Sequence, residues 1–143
     1  MSIENNNKPL WFTVFAWVMV MWNLLGVATF ALHALSKPEL GRLPPEHQAL
    51  YASEPWWSVL AFGVAVVAGL AGAGALMLGR RQAFGCYLVS LAGVLVQQFY
   101  SFGVADSLKV LGTGSLAMPL FVLVLTLAQL LVAKLAGKRG WVG

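Results

Sequence analysis

The sequence predicts an all-α fold, an integral-membrane four-helix bundle with a short ordered outer loop, and three observations lead there. Of 143 residues, 59% are hydrophobic and only 10% are charged, where a soluble domain carries about 25% charged residues. Mean hydropathy is strongly positive. The apolar residues also gather into four runs, at about 11–33, 56–79, 83–102 and 117–135. At 1.5 Å rise per residue, each run is long enough to cross a hydrocarbon core about 30 Å thick. The chain reads as a single membrane domain, 1–143. With four spans consuming most of its length, any chemistry has to sit between helices or at the interface.

Met1 to Lys8 is a short polar lead-in. Trp11 to His33 contains no charged residue and forms the first span. It is too long for the apolar region of a typical signal peptide, and small residues are poorly placed for cleavage, so it is expected to stay as a helix. The mixed segment from Leu35 to Pro55 reads as an ordered loop on the membrane surface. Ser36-Lys37-Pro38-Glu39 resembles a capping box, Pro44-Pro45-Glu46 opens a short helix through Tyr51, and Ser53 is the expected cap of the next span. From Ala61 to Ala75, ten of fifteen residues are Gly or Ala. Small residues let helices in lipid approach until dispersion holds them, which predicts a packing ridge of Ala61, Ala65, Ala68, Gly69 and Gly72.

Gly79-Arg80-Arg81-Gln82 is a tight turn into the third span, whose Gly85 and Gly93 are expected to meet that ridge. In the following connection Val104, Leu108 and Leu111 share one helical face, suited to the interface. The last span carries Pro119 in its first turn, where a missing N–H costs little. Basic residues set the orientation: Lys8, Arg80, Arg81, Lys134, Lys138 and Arg139 on one side, against Lys37, Arg42 and Lys109 on the other. Both termini are therefore expected in the cytoplasm. Trp11, Phe12, Phe84 and Trp141 mark the inner boundary, while Trp56, Trp57, Phe99, Tyr100 and Phe102 mark the outer one. The net charge of +4 comes from these helix ends, where it meets anionic headgroups, so no nucleic-acid partner is expected. The expected partners are the bilayer and either a homo-oligomer or a larger membrane complex.

The single cysteine, Cys86, permits neither an intrachain disulfide nor a thiolate zinc site. No metal, cofactor or nucleophile motif is present. No Asp, Glu, Lys or Arg lies at the centre of a span, which disfavours ion-coupled transport. The polar residues within spans are uncharged. Asn23, beside Trp22, shares a stripe with Gly26, Phe30 and His33. It either lines a pocket for a neutral polar ligand or joins two helices by one hydrogen bond worth ~1 kcal/mol. In the third span Cys86, Ser90, Gly93, Gln97 and Ser101 form the most polar face, either a wet vestibule under the first loop or a polar bundle interior. The candidate ligand-binding set is Trp22, Asn23, His33, Gln97 and Tyr100. Thr126 and Gln129 are expected to hydrogen-bond within the bundle, and Glu54 to be an exposed acid at a helix start.

Trp22-Asn23-Leu24-Leu25-Gly26-Val27, Leu43-Pro44 with Ala49-Leu50-Tyr51, Pro55-Trp56 or Trp57, and Ala61-Phe62 together resemble a known family. Ser90-Leu91, Gln97, Pro119 and the Lys138-Arg139-Gly140-Trp141 ending extend the likeness over nearly the whole chain. The family is one of small four-helix bacterial inner-membrane proteins without an established activity, often labelled sugar transporters. The resemblance implies an inner-membrane location. SWEET-type sugar carriers hold a neutral sugar by tryptophan stacking and asparagine hydrogen bonds, and by that analogy Trp22 and Asn23 take those parts, although the three-helix repeats of such carriers are absent. The expected function is a non-enzymatic accessory or binding module. The alternative is an oligomeric carrier of a small neutral solute such as a sugar. A membrane enzyme ranks third, because no acid–base constellation can be named.

Overall fold

The computed structural model describes residues 8–35, 42, 44–104, 109 and 112–142. Among the described residues five α-helices follow one another: α1 (Leu10–Leu35), α2 (Pro45–Ala52), α3 (Trp56–Met77), α4 (Gln82–Gln98) and α5 (Ala117–Lys138). α4 continues into a wider π-helical turn, Phe99–Val104, and a 3₁₀ turn, Thr113–Leu116, leads into α5. Among the described residues there is no strand. Four of the helices are long and apolar enough to cross a membrane, so the chain is a multi-pass membrane protein. The Ser36–Glu39 capping box and the Leu108 and Leu111 positions lie outside the described residues.

The long helices alternate in direction, which brings the chain ends and the α3–α4 turn together. Trp141 packs against Trp11 and Phe12, with ring centroids 5.6 and 5.1 Å apart. The Lys8 ammonium and the Trp141 carbonyl both approach Gly79. We call this the termini end, and the opposite end, which carries α2 and the 3₁₀ turn, the loop end. Two helices finish at the termini end with the same motif. Gly79 and Gly140 each have φ of 71°. Arg80 N–H donates to the Ala75 carbonyl at 2.7 Å and Trp141 N–H to the Ala136 carbonyl at 2.9 Å. These are Schellman closures, with glycine taking the left-handed position that side chains disfavour.

The central contact is α3 against α4. The small-residue ridge forms much of it: Ala61, Ala65, Gly69 and Gly72 are buried and Ala68 is half-buried. Gly93 of α4 lies so close to α3 that an added Cβ would stand 2.7 Å from the Ala61 carbonyl oxygen. Gly85 does not join this contact, contrary to expectation. It is exposed, and an added Cβ there would meet nothing within 4 Å. Eight residues at about 100° each put Gly85 and Gly93 roughly 80° apart around the helix, on different faces. α1 packs on α3 through Phe12, Ala16, Met19, Asn23, Gly26 and Phe30, a stripe at spacings of four and three. α5 packs on α4 and turns Thr126, Gln129, Ala133 and Ala136 inward.

The entry to α3 also departs from expectation. Its N-cap is Pro55, not Ser53. Glu54 is half-buried rather than exposed and accepts a hydrogen bond from the fully buried Ser58 hydroxyl at 3.0 Å. One turn into the helix, that bond satisfies a hydroxyl which could otherwise compete for backbone partners.

Candidate functional site: an intramembrane cavity

The two halves of the bundle are filled differently. Toward the termini end, Phe12, Met19, Leu76 and Tyr87 reach the axis and pack with Ala73, Ala83, Ala133 and Ala136 into one core. Toward the loop end, Gly26, Phe62, Ala65, Val66, Val94 and Val122 surround a space they do not fill. The α3–α4 pair closes up by virtue of its small residues, but α1 and α5 stay apart. The unfilled space is a cavity of about 350 Å³, within the usual size range of small-molecule sites.

The cavity floor is polar. Asn23, Ser90, Thr126 and Gln129 all line it, and all four are buried, at 3–7% exposure. The Asn23 amide nitrogen donates to the Met19 carbonyl at 2.7 Å and across the bundle to Gln129 Oε1 at 2.9 Å. Both bonds use Nδ2. The amide oxygen instead rests against Gly69, so closely that any Cβ there would overlap it. Gln129 Nε2 donates to the Leu125 carbonyl at 3.3 Å, a long bond for an amide. Thr126 donates back to the Val122 carbonyl at 2.8 Å, and Ser90 donates to the Ala65 carbonyl at 2.7 Å, tying α4 to α3.

The walls are mostly apolar. α1 contributes Trp22, Leu25, Gly26 and Thr29, and α5 contributes Met118, Pro119 and Val122. Trp22 meets Phe121 of α5 edge-on, with centroids 5.4 Å apart. Toward the loop end Gln97 and Gln98 border the space. Gln97 Nε2 bonds the Ser101 hydroxyl at 3.2 Å, and Gln98 Nε2 bonds the Pro119 carbonyl at 2.9 Å.

Of the five candidates read from sequence, the cavity is lined by Trp22, Asn23 and Gln97. Tyr100 is not among the lining residues. It is buried elsewhere, edge-on to Trp57 at 5.3 Å, with its hydroxyl donating to the Ser53 carbonyl at 3.2 Å. The π-helical turn that begins at Phe99 shifts its phase away from that of Gln97. His33 belongs to α1, but its side chain lies outside the described residues. The expected vestibule roof, the first loop, lies partly outside the described residues. The partner of Asn23 across the bundle is Gln129. Sequence reasoning placed Gln129 in the bundle interior, and missed that it faces Asn23 because hydropathy does not say which helices stand opposite one another.

Among the described residues no ionisable side chain lines the cavity. Among the described residues no three His, Cys, Asp or Glu side chains converge to hold a metal. The arrangement suits an uncharged guest that accepts or donates a few hydrogen bonds at one end. Comparisons with protein families, curated proteins and solved structures find no match to this chain.

Proposed function

We propose that this protein is a non-enzymatic inner-membrane binding module, with both termini in the cytoplasm, which holds an uncharged small molecule in the cavity between α1 and α5. One observation carries this reading. Four buried polar side chains, from three helices, converge on the floor of a cavity whose walls are mostly apolar. Interhelical glue alone needs no space beside it, whereas convergent polar groups in an apolar pocket are the usual form of a small-molecule site.

The test removes the polar floor without removing bulk. Changing Asn23 and Gln129 together to Leu deletes a hydrogen bond worth ~1 kcal/mol and leaves neither partner stranded. The variant is expected to stay folded in detergent. Native mass spectrometry of wild-type protein from its own membranes is expected to show a bound neutral molecule that the double variant lacks. A wild-type protein without such a molecule, or a double variant that keeps it, refutes the reading.

A carrier for a small neutral solute is the second reading, favoured by the asymmetry of the bundle. The cavity is shut toward the termini end by the core and the Trp11, Phe12 and Trp141 cluster, which is the shape of one half of an alternating-access cycle. Saturable uptake into proteoliposomes would support it over static binding.

A further inference from the structure

We propose that the guest is a neutral membrane amphiphile, an uncharged hydroxyl- or carbonyl-bearing head on an aliphatic tail, which enters sideways from the bilayer through the gap between α1 and α5. This rests on the cavity being a binding site and adds the ligand class and its route.

The depth of the cavity is the first argument. Its floor residues, Asn23 and Gln129, lie near the middles of the Leu10–Leu32 and Ala117–Lys138 spans, hence near the bilayer midplane. Leu25, on the wall, is seven residues before the end of its span, or about 10 Å along the helix axis. The Leu25 side of the mouth thus lies at the level of lipid chains, while Met118, the second residue of its span, places the other side near the loop-end boundary.

The mouth has the chemistry of a lipid-facing surface. Leu25 and Met118 both line the cavity and are each 60% exposed. Thr29 is the exposed polar side chain beside them, and its hydroxyl is turned back onto the Leu25 carbonyl at 2.8 Å. It thus offers little to water and is satisfied in lipid. Deeper in, the Trp22–Phe121 contact and the Asn23–Gln129 bond join the two helices. Above them, toward the loop end, Leu25, Thr29 and Met118 flank the opening.

Charge and size select the guest. A phosphate head would find no Lys or Arg among the described lining residues and would be buried unpaired, at a large desolvation penalty. A free sugar carries a hydroxyl on nearly every carbon, whereas the lining divides its polar groups between the floor and the Gln97–Gln98 end with apolar wall between them, which suits a guest with an apolar part. One hydroxyl or carbonyl matches what the floor has left: the Asn23 amide hydrogens and the Ser90 hydrogen are committed, while Gln129 Nε2 keeps one N–H to donate and the Gln129 and Ser90 oxygens can still accept. A space of about 350 Å³ takes the head and the first part of a tail, and the remainder leaves through the open side.

The test uses the full chain in lipid nanodiscs, with Leu25→Cys and Met118→Cys in a Cys86→Ser background. Both mouth positions are exposed, so folding is not at risk there. A long-chain alcohol bearing a diazirine is photolysed in the membrane, and a water-soluble neutral sugar bearing the same group serves in parallel. Peptide mapping should show the alcohol attached to Val94 and Val122 several-fold more than to lipid-facing Val14 and Leu131. Bridging the two cysteines with a bis-maleimide should reduce that enrichment to the lipid-facing level. So should Val122→Trp, which fills the space without closing the mouth. Unchanged enrichment after bridging overturns the sideways route while leaving the pocket reading intact. Labelling by the sugar but not by the alcohol overturns the ligand class, again leaving the pocket reading intact. Labelling by neither overturns both.

Discussion

Gly93→Ala is expected to loosen the bundle, because it is the position where one methyl group meets backbone rather than a movable side chain. An added Cβ would lie 2.7 Å from the Ala61 carbonyl oxygen, 2.9 Å from the Ala65 nitrogen and 3.1 Å from the Ala65 Cα. Ordinary contact begins at 3.4 Å, so α3 and α4 must separate by about 0.7 Å at this level (3.4 less 2.7). Neither helix can yield by turning a rotamer. Overpacking of this kind costs about 1–3 kcal/mol, partly offset by the ~1 kcal/mol by which Ala exceeds Gly as a helix former in water. The net expectation is a loss of ~0–2 kcal/mol, read as a midpoint of thermal unfolding in detergent that falls below that of the control. Gly85→Ala is the internal control. It shares the helix and the chemical change but meets nothing within 4 Å, so its midpoint is expected to equal or exceed wild type. If Gly93→Ala proves as stable as Gly85→Ala, the close approach of α3 and α4 is wrong, and with it the reason the bundle is hollow on its α1–α5 side.

Two further expectations concern the closed half and the orientation. The Tyr87 hydroxyl is buried without a hydrogen-bond partner among the described residues, and an unpaired buried hydroxyl costs about 1–3 kcal/mol. Tyr87→Phe, which keeps the ring packed on Gly72, should match or exceed wild type in thermal stability, and a marked loss would reveal a partner for the hydroxyl. A reporter active only outside the cytoplasm should work when fused after Lys109 and stay silent after Arg81 or Lys138. The reverse pattern would invert the orientation read from the basic residues.

The spans were legible because lipid acts on sums: a run of twenty apolar residues is decided by total transfer energy, and single residues hardly matter. The α3 ridge was legible for a related reason, since Gly and Ala have little use toward lipid but matter at a helix contact. The errors came where a local feature broke the assumed phase. Tyr100 was projected onto the Gln97 side by continuing the α-helix past Phe99, but the wider turn there carries it to Trp57 instead. Ser53 looked like a cap by residue type, whereas Pro55 fills that position with extended backbone (φ −75°, ψ 156°). The partner of Asn23 was ambiguous for a deeper reason. Gln97, Gln98 and Gln129 are chemically equivalent partners, and only the splay of α1 from α4 decides among them.

The contacts also show which seam of the bundle is the weakest. α3 and α4 are held by backbone-level packing at Gly93 and by the Ser90 hydrogen bond to the Ala65 carbonyl, neither of which relaxes without separating the helices. α1 hangs on α3 and α5 on α4. Among the described residues, an aromatic edge contact bridges α1 and α5 in the loop-end half, and an amide bond bridges them in the middle. Lipid supplies no hydrophobic force to press them together. Parting α1 from α5 there exposes to lipid only groups that lipid accepts, apart from the Asn23–Gln129 pair. That pair sits where the packed core ends and the cavity begins, so it is the polar contact that an entering hydroxyl or carbonyl would join or replace. A guest that hydrogen-bonds to these two amides offsets the loss of their mutual bond, whereas a purely aliphatic one does not. Replacing the diazirine alcohol by the matching diazirine alkane should therefore abolish enrichment at Val94 and Val122, and equal labelling by the alkane would mean that the polar floor plays no part in recognition.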